Sequence, residues 1–81
     1  MRQEFKVSGS LHRNDGPAVI ERDARSGIVI REEYWERNRL HREDGPAIIE
    51  RAARTGKISS EVFYTNGKQI KKIIKGYPTS P

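Results

Sequence analysis

Eighty-one residues, 33% hydrophobic and 33% charged, allow one small domain with a thin core, and the absence of cysteine excludes a disulfide framework, a cysteine nucleophile and a thiolate zinc site. The formal charge of +5 is lopsided: residues 1–65 are close to neutral, and the excess comes from four lysines in residues 66–81, a stretch without any acid. No apolar run reaches membrane-span length and the opening "MRQEFKVSGS" lacks an apolar signal core, so the expectation is a soluble cytoplasmic protein with no membrane partner.

Residues 1–10 carry an aromatic, Phe5, and a turn signal, "SGS" with Gly9. Residues 11–39 open on "LHRNDGPA", continue through "AVIERDARSG" and reach a β-branched and aromatic stretch, "IVIREEYWER", before a second turn at Asn38. Residues 40–68 repeat that plan without a gap: 14 of the 29 aligned positions are identical, and "HRNDGPA" returns as "HREDGPA". The register runs past the duplicated block, because Phe5, Tyr34 and Phe63 keep the 29-residue spacing, as do Gly9, Asn38 and Gly67. One chain therefore holds a leading half-unit (1–10), two full repeats (11–39 and 40–68) and a basic tail (69–81), with the atypical ends expected of a repeat array.

Each repeat reads as β. "KISSEVFYT" alternates, "IVIREEYWER" is rich in strand formers, and Asn66-Gly67 is a strong hairpin signal. "AIIERAAR" has good helix formers, but a span that short between Pro46 and Gly56 does not support an independent helix, so strand is favoured. The predicted fold is all-β: an antiparallel meander of β-hairpin repeats forming a single open, twisted sheet of six or seven strands. One side of the long strands is expected to collect Phe5, Ile28, Ile30, Tyr34 and Phe63, the other Val29, Trp35, Ile58, Val62 and Tyr64. With both sides partly apolar, a cover is needed. The candidates are the tail, where Ile70, Ile73 and Ile74 suit a short amphipathic helix, and a second copy in a homodimer.

His12, Asp15, Gly16 and Pro17, with their repeats His41, Asp44, Gly45 and Pro46, are read first as architecture: Asp before Gly-Pro makes a turn, and an imidazole bridges it to the neighbouring strand. Catalysis by these residues lacks a nucleophile or a water-excluding pocket, so no enzyme is expected. A metal site from His12, Asp15, His41 and Asp44 lacks closely spaced ligand pairs, so neither metal nor cofactor is expected. Arg13 and Arg42 are the better candidates, as forks for carboxylate or phosphate.

"EEYWERNRLHREDGPAIIE" and "FYTNGK" resemble a short repeat of phage and bacterial proteins with an LHRxDGPA core, itself similar to a variant of the MORN repeat. The resemblance spans residues 5–68; "GKQIKK" keeps no His-Arg-x-Asp-Gly-Pro. It implies a small phage-related β-repeat module and brings no catalytic residues. Two function classes follow. One is a protein-binding module that inhibits or adapts a host or bacterial protein complex, for example as an anti-CRISPR or other anti-defence inhibitor, through Arg22, Arg51, Trp35 and Tyr64. The other is a nucleic-acid binder using the aromatics with Lys71, Lys72 and the rest of the tail.

Overall fold

The computed structural model describes residues 1–75, and the end of the tail, residues 76–81, lies outside them. Ten strands follow in chain order: β1 (Arg2–Glu4), β2 (Lys6–Val7), β3 (Ser10–Leu11), β4 (Val19–Arg22), β5 (Val29–Glu33), β6 (Trp35–Glu36), β7 (Arg39–Leu40), β8 (Ile48–Arg51), β9 (Ile58–Thr65) and β10 (Lys68–Ile74). Six of them, β1-β4-β5-β8-β9-β10, make one antiparallel open sheet in which chain neighbours pair, and β2-β3 and β6-β7 form two small hairpins of their own. The all-β meander holds; what sequence did not anticipate is that the first two hairpin tips leave the main sheet, while the third, between β9 and β10, stays in it.

Every tip turns in the same way. Ser8-Gly9, Arg37-Asn38 and Asn66-Gly67 all have positive φ at both central positions, the I′ geometry whose twist matches that of paired strands. Asn and Gly tolerate it; Arg37, at φ 51°, does not by nature and must be held there.

Side chains sort by rows across the sheet. Glu4, Val19, Glu33, Ile48, Val62 and Lys72 lie in register, and Arg2, Glu21, Arg31, Glu50, Ser60 and Ile74 share their face two steps along. On the opposite face Ile20, Glu32, Ile49, Glu61 and Ile73 form one row, and past the ends of the paired segments Phe5 N–H donates to Ala18 O, Tyr34 N–H to Ala47 O, and Phe63 pairs with Lys71. Large rings alternate with alanines, and Ala18 and Ala47 are fully buried between them. Among the described residues these alanines, with Val19, Ile48, Ile49 and Val62, make up the buried apolar core, divided between the two faces of the sheet in a molecule whose smallest extent is 15 Å.

Two expectations change. The register shifts at Glu21/Arg22 and Glu50/Arg51 place Val29 opposite Arg22 and Ile58 opposite Arg51, on the same face as Tyr34 and Phe63, not with Trp35 and Val62. One bulged residue reverses the alternation. The tail helix is also overturned: residues 68–74 form β10, pairing with β9 and absorbing Ile70 as a bulge. The open edge of β9 satisfies that backbone, whereas seven residues are too few to nucleate a lone helix. Residues 68–74 therefore widen the sheet as an edge strand.

The face expected to be partly apolar around Trp35 is instead bridged by charge. Glu33, 7% exposed, accepts from Arg31 Nε at 2.6 Å and from the Trp35 indole N–H at 2.7 Å, while Arg31 also reaches Glu50, which accepts from the Ser60 hydroxyl at 2.8 Å. Burial works against the Arg31 cation, but its bonds to Glu33 and Glu50 outweigh that and raise its pKa. Among the described residues, no buried side-chain polar atom lacks a partner.

Candidate functional site

The two His-Arg-x-Asp-Gly-Pro segments are loops inserted into what would otherwise be continuous strands. Leu40 pairs with Trp35 and Ile48 with Glu33, and between them the chain spends His41–Pro46 on an excursion; β10 makes the same crossing with Ile70 alone out of register. The excursion lets each hairpin tip tilt away from the sheet and stack on the next.

Histidine ties the stack together. His12 Nδ1 accepts the N–H of Arg37 at 3.1 Å, and His41 Nδ1 accepts that of Asn66 at 2.9 Å, in each case the first positive-φ residue of the following tip. The next residue of each tip is held as well, Asn38 N–H by Leu11 O and Gly67 N–H by Leu40 O. An accepting Nδ1 leaves the proton on Nε2, which lies 2.9 Å from Asn14 Oδ1 in the first loop and 3.7 Å from Glu43 Oε2 in the second. Neutral imidazole supplies an acceptor and a donor at once, and this explains why histidine, with Arg37 in a strained conformation, suits the position.

Arginine closes each loop from below. Arg13 Cζ lies 3.9 Å from the centre of the Phe5 ring, its Nη1 donates to Pro17 O at 3.2 Å and its Nε to Asp15 at 3.2 Å. Arg42 repeats this over Tyr34 at 3.9 Å, with Pro46 O at 3.1 Å and Asp44 at 3.3 Å. A methyl group added at Gly45 would lie 3.1 Å from Arg42 Cζ, and one at Gly16 would lie 3.3 Å from Arg13 Cζ. The glycine is there because the guanidinium is packed between it and the ring.

Sequence reasoning missed this ring-and-cation pairing, although its signal was present: Arg13, Arg42 and Lys71 keep the same 29-residue spacing as Phe5, Tyr34 and Phe63. Lys71 Nζ lies 5.3 Å from the Phe63 ring centre, so the third unit keeps its cation after losing the loop.

The stacked loops enclose an open cleft of about 520 Å³, lined by Asn14, Asp15, Tyr34, Trp35, Glu36, Glu43 and Asp44 together with Arg13, Gly16, His41 and Arg42. Asp15, Glu43 and Asp44 stand almost fully exposed at its rim. Each arginine is already matched by its own aspartate and turned toward a ring, so the rim presents carboxylates and the cleft does not offer an anion two free guanidinium forks. Among the described residues, no group of three or more histidines or carboxylates is arranged to hold a metal.

The other candidate residues are dispersed. Arg22 donates to Gly27 O at 3.3 Å and Arg51 to Gly56 O at 3.2 Å, each closing the loop between a strand pair, and Arg51 also meets Glu32 at 3.3 Å. Trp35 is half-buried against Glu33, and the Tyr64 hydroxyl donates to Gln69 Oε1 at 3.3 Å. Lys72 is exposed on β10. The structure thus brings Arg13, Arg42 and Trp35 to one cleft and leaves Arg22, Arg51, Tyr64, Lys71 and Lys72 elsewhere. Comparison with known proteins yields no relative: no family model, curated protein or solved structure matches the chain.

Proposed function

We propose that this chain is a non-enzymatic protein-binding module, a phage-related repeat protein that docks on a host or bacterial protein complex in the cytoplasm and inhibits or adapts it, with a CRISPR effector or another defence complex as the specific case. The supporting observation is how its residues are used. The histidines, arginines and aspartates that could carry chemistry are engaged in holding loops and turns, while a sheet 15 Å thin offers both faces, two edges and a cleft as contact surface.

The nucleic-acid reading draws on the lysines of β10 and on Tyr34, Phe63 and Trp35 as stacking platforms, but two of those rings already carry a cation: Arg42 lies over Tyr34 and Lys71 near Phe63, so a base would have to displace it, and Trp35 alone is left without one. Protein is the favoured partner.

The test is affinity capture with the tagged protein from bacterial lysate, with and without nuclease and across a salt series, bound proteins being identified by mass spectrometry. A stoichiometric protein that survives nuclease and moderate salt is the expected result. Recovery that vanishes with nuclease and falls steeply with salt contradicts it and favours nucleic acid. A homodimer is a separate proposal, supported by a dimeric mass in sedimentation equilibrium and refuted by a monomeric one.

A further inference from the structure

We propose that the outer edge of β10 is a docking strip for an extended acidic segment of a partner protein, which joins the sheet as a seventh strand. The inference rests on the protein-binding reading and gives the partner a chemistry. Among the described residues β10 is the last strand of the sheet and, at seven residues, its longer edge. Lys75 N–H donates inward to Ser59 O at 2.8 Å, and antiparallel alternation then turns Lys71 and Ile73 toward β9 and leaves the N–H and C=O of Lys72 and Ile74 facing outward. Unpaired backbone on a long edge is a template for strand addition.

Charge selects the occupant. Residues 66–75 hold Lys68, Lys71, Lys72 and Lys75 and no acid. Lys75 is taken by Glu61 at 3.1 Å and Lys71 lies near Phe63, while Lys68 and Lys72 have no carboxylate partner among the described residues. Ile70 and Ile74, 62% and 70% exposed, add apolar contact on the same strand. A second copy is a poor fit: β10 against β10 brings two strands together that hold lysines and no acid, and β1 offers three residues whose single carboxylate, Glu4, already engages Arg2, as does Glu21 of the neighbouring β4. Edge lysines commonly guard a sheet against self-pairing; here they refuse a copy of themselves and admit a strand of opposite charge.

The probe is a capped peptide of about eight residues alternating Glu and Val, the length of a strand that would cover β10. It is added to the isotope-labelled protein, and a Lys-Val peptide serves as control. The expected result is slowed amide exchange at Lys72 and Ile74 with the acidic peptide alone, weakening as salt rises from about 0.01 M to about 1 M and the Debye length shrinks about tenfold. Ile74→Pro removes one outward N–H without touching the inward ladder, a place where an edge strand tolerates proline, and should weaken the peptide by about tenfold, the loss of about 1.4 kcal/mol. Lys72→Glu keeps the backbone and should exchange preference for the acidic peptide for preference for the Lys-Val one. The proposal is overturned if the peptide leaves Lys72 and Ile74 unprotected, if both variants bind it as the wild type does, or if a single-stranded oligonucleotide binds more tightly with no protection there. Capture of a lysate protein unaffected by either variant would also overturn the strip, while leaving the binding-module reading intact.

Discussion

Removing the Arg42 guanidinium probes the loop architecture where it is most specific. Arg42→Ala deletes the ring contact with Tyr34, about 1 kcal/mol for a partly desolvated cation, and the charged hydrogen bond to Pro46 O, about 1.5 kcal/mol. The pair with Asp44, which is 89% exposed, adds close to nothing. The side chain itself is 26% exposed, so the sum of about 2.5 kcal/mol needs little further discount for solvent screening. For a domain of this size that lowers the Tm by about 10–20 °C. Gly45→Ala supplies the internal control. Its new methyl group would meet Arg42 Cζ at 3.1 Å, and the guanidinium cannot retreat because Tyr34 lies behind it, so the change should destabilise the wild type by about 1 kcal/mol. In the Arg42→Ala background the clash is gone, and the same change should stabilise by about 0.4–1 kcal/mol through the unfolded chain. The assay is thermal and urea unfolding followed by circular dichroism across the four proteins of the cycle. Additive effects, or an Arg42→Ala variant as stable as the wild type, would refute the packing argument and return Arg42 to the pool of free ligand-binding arginines.

Other outcomes follow from the same geometry. His41→Ala frees the Asn66 N–H and should lower the Tm by about 4–8 °C, the equivalent of one hydrogen bond of about 1 kcal/mol; an unchanged Tm with lost partner binding would make the histidine functional instead. Arg37→Asn relieves a left-handed residue and should stabilise by about 1 kcal/mol, measured by urea unfolding. Asp23 accepts the backbone N–H of Ser26 at 2.9 Å, the Ser26 hydroxyl at 3.1 Å and the Arg25 N–H at 3.1 Å, and these bonds hold its carboxyl below the usual range. Its contribution is therefore complete above the unfolded-state pKa of about 4 and is lost as pH falls through the lower folded-state value. Asp23→Ala, which copies Ala52 of the second repeat, should lower the Tm near neutral pH, and the gap from wild type should close in acid.

The architecture was legible where it is repeated. Phe5, Tyr34 and Phe63 marked equivalent strands, and Asn66-Gly67 marked a tip, because local chemistry alone specifies those features. The faces of Val29 and Ile58 were not legible, since a bulge depends on how two strands meet and leaves no signature in alternation. The tail misled for a related reason. Ile70, Ile73 and Ile74 have helical spacing, but the same spacing fits a strand with Ile70 bulged, and the open edge of β9 decides between them. In the cleft, Trp35 and the two arginines were foreseen as candidates. Their pairing with Asp15, Asp44 and the rings crosses from loop to strand and emerges only once the units stack.

The most direct measurement of the central claim, that the HRxDGPA loops are joints between stacked hairpins, is detection of nitrogen–nitrogen coupling through the hydrogen bonds from Arg37 N–H to His12 Nδ1 and from Asn66 N–H to His41 Nδ1, in the ¹⁵N-labelled protein. The account predicts both couplings, with each imidazole carrying its proton on Nε2. Imidazoles protonated on Nδ1, with no coupling to either turn, would contradict it.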